Sequence, residues 1–329
     1  MAESLVNSIA RLRVIEKRML TKEHIARLSA CRSYEEALRL LREAGYGQAQ
    51  QESGEADGDE LERMIDAELI SAYALVDELM PESRRDITDA FRLKHDIINI
   101  KLMYKLRLLG QSLNSAPFDI GGIYDRAVLE KAITTGDYGF MPKQIRNELE
   151  RLDVDTYYGA DPKAVSCAID SAYARFGREH SSAFVRRYFK ALADFDNVLI
   201  VLRGGDSFLP VGEIDERELL SFAQKRETNP EGAAELIADV FTQSKLRKAV
   251  RAAYERSLKA GAAAFEGARD EYLIALASEG RQDIDSPAPI VGYMLARERE
   301  AAVVRLILTA KRSDIPFNTV KERGVELYG

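Results

Sequence analysis

The sequence predicts an all-α protein made of three related helical units, and three observations carry that prediction. Apolar residues recur at helical spacing through long segments near residues 83–109, 162–203, 246–278 and 289–311. No stretch alternates apolar and polar residues for six or more positions between hairpin turns, and the β-branched residues fall inside helical periodicities. A polar pattern set in an apolar helix then recurs at intervals of about 100 residues.

The elements follow in order from their start and stop signals. Ser33-Tyr34-Glu35-Glu36 reads as a capping box, with the Ser33 hydroxyl on the third helical N–H and Glu36 reaching back, and Gly45 closes that helix in the left-handed conformation. Residues 45–60 turn to Gly, Gln, Glu, Asp and Ser, a solvated loop with little to bury. Asp59 is expected to cap the next helix, whose apolar face runs Leu61, Met64, Ile65, Leu69, Ala72, Leu75, Val76 and Leu79 until Pro81 stops it. Asp161-Pro162 and Asn229-Pro230 each pair an N-cap with a proline at the first helical position, where the missing N–H costs nothing. A break or kink is expected at Gly177, inside the segment 162–203, while Gly121-Gly122 and Gly204-Gly205 read as turn or helix-end glycines.

Composition narrows the class. A chain that is 46% hydrophobic and 31% charged can bury a sizeable core, which excludes wholesale disorder. With 47 basic against 54 acidic side chains the net charge is −7, and aromatics are not interleaved with the basic residues, so no nucleic-acid partner is expected. Cys31 and Cys167 lack ligand-spaced partners and suggest neither a disulfide framework nor a zinc site. The first residues lack the pattern of a signal peptide. The longest aliphatic run, from Val198 to Leu202, falls far short of the ~20 residues that span a bilayer, so no transmembrane segment is expected.

The recurring helix is the most informative feature. Its first copy contains Asp96-Ile97-Ile98-Asn99 and ends at Gly110; its second contains Asp194-Phe195-Asp196-Asn197 and ends at Gly204. A fainter third copy runs from Arg297 to Leu308, with Glu300 where Asp stood and Val303 in place of Asn. Three units follow, at residues 1–113, 114–208 and 209–329. On a helical wheel the first copy is apolar around most of its circumference, with Lys94, Lys101 and Lys105 on one narrow stripe, as befits a helix central to a bundle. Asp96 and Asn99 lie away from that stripe among Ile, Leu and Met, so burying them demands hydrogen-bond or charge partners. Asp96, Asn99, Asp194, Asn197 and Glu300 therefore read as buried polar tethers that fix register between units, since a catalytic group need not be duplicated.

Catalytic patterns are missing. There is no phosphate-binding glycine loop, dinucleotide fingerprint, His-Glu-x-x-His or Gly-x-Ser-x-Gly, and His24, His95 and His180 each lack the Glu three residues earlier that a di-iron bundle needs. No catalytic, cofactor-binding or metal-ligating residue is assigned, and no cofactor is expected. Arg11, Arg13, Lys17 and Arg18 form a basic cluster that reads as a solvated face or a contact for an acidic partner, and Arg84-Arg85 sits at a helix start.

The segments at 91–110, 195–203 and 298–311, with their acid, Asn and basic ends, resemble those of the C subunits of the archaeal and bacterial A/V-type rotary ATPases, whose counterpart in the eukaryotic vacuolar enzyme is the d subunit. The likeness extends along the whole chain. It implies three pseudo-symmetric helical-bundle repeats forming a funnel-like socket, peripheral on the cytoplasmic side of the membrane. The implied partners are the membrane proteolipid ring and the D and F subunits of the central stalk, between which a non-catalytic rotor part passes torque in a proton- or sodium-translocating enzyme. Two other readings stay open at this point: a helical metal-dependent enzyme using Asp194 and Asp196, and a general helical scaffold for peptide partners.

Overall fold

The computed structural model describes residues 5–47, 60–115, 117–157, 161–316 and 327, and every regular element among them is a helix. In chain order these are α1 (Leu5–Ile15), α2 (Lys22–Ala30), α3 (Tyr34–Glu43), α4 (Glu60–Leu79), α5 (Arg85–Leu108), α6 (Arg126–Thr135) and α7 (Lys143–Tyr157). There follow α8 (Pro162–Glu179), α9 (Ala183–Leu202), α10 (Glu216–Thr228), α11 (Pro230–Asp239), α12 (Ser244–Ala260), α13 (Ala262–Ser278) and α14 (Ala288–Arg312). Short 3₁₀ turns lie at Glu16–Arg18, Glu82–Arg84 and Leu113–Ser115.

The caps mostly sit where their residue types place them. Asp161 accepts from the N–H groups of Lys163 and Ala164, and Asn229 from that of Gly232, so both proline-led helices start as expected. Ser33 accepts from Glu36 N at 3.2 Å, but the Glu36 carboxylate takes the Arg32 N–H at 2.7 Å instead of returning to Ser33, so the expected box is not reciprocal. Gly45, at φ +86°, closes α3, with the Tyr46 N–H reaching back to Leu41 O at 3.1 Å. The expected cap at Asp59 lies outside the described residues.

Two breaks differ from expectation. Helix α8 runs through Gly177 to Glu179, and the chain turns at His180 before Ser182 caps α9. Gly177 serves packing: a Cβ there would overlap the ring of Phe189. The segment 246–278 is two helices, divided at Gly261, whose φ of +79° is left-handed.

The chain forms two compact units, Met1–Arg85 with Lys248–Gly329, and Asp86–Arg247. In the first, α14 packs along α4 and touches α2 and α3, so that Val304, Ile307 and Leu308 meet Leu28, Leu38, Leu41, Leu61 and Ile65. In the second, Ile97, Ile100 and Met103 of α5 meet Ile133 of α6, Leu149 of α7 and Ile169 of α8. Each such side chain, taken fully out of water, contributes about 1.5–3 kcal/mol. The Tyr104 and Tyr138 hydroxyls both donate to Asp153, each at 2.8 Å, and Arg107 pairs with the same carboxylate at 2.6 Å, which ties α5 to α7 within this core.

Candidate functional site

Asp96 is wholly buried on α5. Its Oδ2 accepts from Ile123 N at 2.8 Å and its Oδ1 from Tyr124 N at 3.2 Å. One turn further, Asn99 donates to Asp119 O and accepts from Asp119 N, both at 2.8 Å. The pair grips residues 119–124, which lead to Asp125, the N-cap residue of α6. Arg92 closes the grip from one turn earlier, donating to Gly121 O at 3.2 Å and to Gly122 O at 2.7 Å. Gly122 leaves the space that makes this approach possible, since a Cβ there would overlap Asp96 Oδ1.

The second copy grips its segment in the same way, an aspartate and an asparagine each holding backbone groups. Asp194, also wholly buried, accepts from Glu213 N at 2.7 Å and Ile214 N at 3.1 Å. Asn197 donates to Leu209 O at 3.1 Å and accepts from Leu209 N at 2.7 Å. The gripped segment leads to Asp215, which caps α10. Gly212, at φ +122°, stands where Gly122 stands, and a Cβ on it would overlap Asp194 Oδ1. In place of an arginine, Lys190 pairs with the Glu213 carboxylate of the gripped segment at 2.9 Å.

The third copy uses different chemistry for the same end. Glu300, wholly buried on α14, accepts from Leu20 N at 2.7 Å, and Leu20 directly precedes Thr21, the cap of α2. Tyr124, Ile214 and Leu20 therefore correspond: each is the residue before an N-cap, and each gives its N–H to a buried acid. Arg297 sits one turn before Glu300 and is ion-paired to both Glu300 and Glu68, with its guanidinium 5.7 Å from the ring centre of Tyr46. Glu68 also accepts from Gly47 N at 2.7 Å. Val303, at the Asn position, is buried as part of the apolar core.

The electrostatics follow from burial. Loss of water pushes the Asp96 carboxyl up to about 6 and that of Asp194 up to about 7, against the downward pull of the N–H groups they accept. Burial likewise pushes Glu300 upward, while Arg297 and the Leu20 N–H pull it back.

All five residues singled out in the sequence lie on the central helices α5, α9 and α14, and the structure groups them as two Asp–Asn pairs and one lone Glu, each with its own segment. Asp196, two residues beyond Asp194, is only half-buried on another side of α9. With Asp194 Oδ1 already holding two N–H groups, these two aspartates do not form a shared ligand set. Among the described residues no group of three or more His, Cys, Asp or Glu side chains could hold a metal ion. His24 bonds the Thr21 cap, His95 pairs with Asp119 of the gripped segment at 2.8 Å, and His180 accepts from Ser182 N at 3.0 Å and lies 3.2 Å from Asp86 O, so each histidine is engaged within the fold. Of the basic cluster, Arg11 pairs with Glu78 at 2.5 Å and Arg13 with Glu16 at 2.7 Å. Among the described residues no helix is long and apolar enough to cross a membrane.

Sequence reasoning missed the gripped segments and Arg297. A signal existed for two of the segments: Gly122-Ile123-Tyr124-Asp125 and Gly212-Glu213-Ile214-Asp215 share Gly-x-x-Asp, each following an Asp-x-x-Asn helix. Arg297 offered none, since an Arg within a charged run reads as solvated.

Comparison with known proteins bears on the whole chain. A family model described as ATP synthase (C/AC39) subunit matches residues 8–323. The chain is 22% identical over 340 residues to the C subunit of the A-type ATP synthase of Thermococcus kodakarensis, covering 95% of this chain and 88% of that one. It is 21% identical over 344 residues to the C subunit of the A-type ATP synthase of Methanocaldococcus jannaschii, covering 97% and 85%.

Proposed function

Because the chain belongs to the ATP synthase (C/AC39) subunit family, we propose that it is the non-catalytic coupling part of an A/V-type rotary enzyme. In this reading it sits peripherally on the cytoplasmic side of the membrane, binds the proteolipid ring, receives the central shaft made by the D and F subunits, and passes torque between them. The match across residues 8–323 carries the proposal.

The clasps support it physically. A part that transmits torque must resist deformation, and a helix whose start is held by a buried carboxylate has little freedom to hinge there. If the repeats fall at 1–113, 114–208 and 209–329, each clasp joins the closing helix of one repeat to the opening segment of the next. Asp96 reaches 123–124, Asp194 reaches 213–214, and Glu300 reaches back to Leu20, so the third clasp ties the last repeat to the first. Three repeats joined in this way would form the socket that holds the shaft.

The test is removal of this chain from the assembled enzyme. ATP hydrolysis by the head should persist while ion transport driven by it is lost, and adding back the purified chain should restore coupling. If the purified chain bound neither a central-stalk protein nor the proteolipid ring, the reading would be wrong.

A further inference from the structure

The two aspartate clasps receive their donors differently. At Asp96 the N–H groups are divided, Ile123 on Oδ2 and Tyr124 on Oδ1, which suits a carboxylate whose charge is shared by both oxygens. At Asp194 the N–H groups of Glu213 and Ile214 converge on Oδ1, while the buried Oδ2 has no hydrogen-bond partner among the described residues. That pattern fits the two unlike oxygens of a neutral acid, a carbonyl oxygen that accepts and a hydroxyl that does not. We propose that Asp194 is a proton-binding site, holding a proton on Oδ2, whereas Asp96 is a carboxylate with its charge shared by both oxygens.

The surrounding charges agree with this assignment. On α9 the neighbouring cation is Lys190, which pulls Asp194 toward ionisation but is itself paired with Glu213 at 2.9 Å. The gripped segment itself brings the Glu213 carboxylate, whose charge opposes ionisation of Asp194. At the start of α10, Asp215 and Glu218 accept each other's backbone N–H groups and add no positive charge. From α8, Arg178 reaches only as far as Pro210 O, at 3.5 Å. An ionised Asp194 would leave a bare charged oxygen out of water with no cation among the described residues bonded to it, a costlier state than an unpaired hydroxyl.

The linkage has a definite sign. The folded protein holds a proton that the unfolded chain, with an ordinary aspartate near 3.9, releases. The stabilisation from this clasp is therefore complete below about 4 and is lost as pH rises through about 7, loosening the hold on residues 209–214.

The experiment follows the side-chain carboxyl carbons of ¹³C-aspartate in the full chain by NMR from pH 4 to 9, with resonances assigned in the unsubstituted protein. Asp194 is expected to titrate near 7 and Asp96 lower, near 6. An Asp194 resonance that titrates at or below that of Asp96 would overturn the proposal. As a second measurement, Asp194→Asn, a neutral isostere, should match the parent in stability near pH 4 and escape part of the parent's pH-dependent decline between pH 4 and 7. An Asp194→Asn protein with the parent's full decline would also overturn it.

Discussion

The second unit holds its two clasped segments with aspartates that use backbone N–H groups, each with a glycine pressed against the carboxylate. The first unit holds its segment with a glutamate backed by an arginine. The difference is one of reach and charge. An aspartate is short, so the backbone must come close, and only a residue without a Cβ permits it; a glutamate is longer by one methylene. Where the aspartates share the cost of burial with two N–H groups apiece, Glu300 has one, and Arg297 supplies the rest. The same mechanical result is reached through close packing in one place and through an ion pair in the other.

This contrast predicts how each clasp fails. Arg297→Ala should have the largest effect, destabilising the first unit by about 3–5 kcal/mol in chemical denaturation, because it leaves Glu300 and Glu68 without their cation. A loss below about 1 kcal/mol would show that the glutamate clasp does not depend on its ion pair. Gly212→Ala should cost roughly 2–4 kcal/mol, from the overlap with Asp194 and a φ of +122° that alanine tolerates poorly. Gly122→Ala should cost less, about 1–3 kcal/mol, since only the overlap applies; equal melting temperatures for the two variants would remove the backbone part of the argument. Arg11→Ala gives the smallest effect, within about 1 kcal/mol, as its pair with Glu78 is exposed on both sides. A larger loss would mean that charge pairing in the first unit matters well beyond its buried cluster.

Helices and caps were legible in the sequence because they depend on local spacing: Asp161-Pro162, Asn229-Pro230 and the left-handed Gly45 each declare themselves within a few residues. The acids of the clasps were legible for a related reason, as a charge or amide set among Ile, Leu and Phe must find a partner. The partners were not. Asp96 and Asp194 bond to backbone N–H groups, which every residue but proline possesses, so nothing in the identities of Ile123 or Glu213 marks them. Gly261 was hidden by the apolar periodicity on both sides of it, and Gly177 misled because the lack of a side chain serves Phe189 rather than a bend. Arg297 was concealed by its neighbours, for within Arg297-Glu298-Arg299-Glu300 the repeat marks only Glu300, although Arg297 is buried as well.

The bond from Leu20 to Glu300 also sets a schedule for the chain's manufacture. Its two ends are 280 residues apart, which at ribosomal speeds of about 5–20 residues per second is a delay of roughly 14–56 s. For most of that interval α2 and α3 have been made but α14, which covers Leu28, Leu38 and Leu41, has not. The nascent first unit thus displays unburied aliphatic surface until its last helix arrives. The second unit, uninterrupted in sequence, can finish folding while the first still waits.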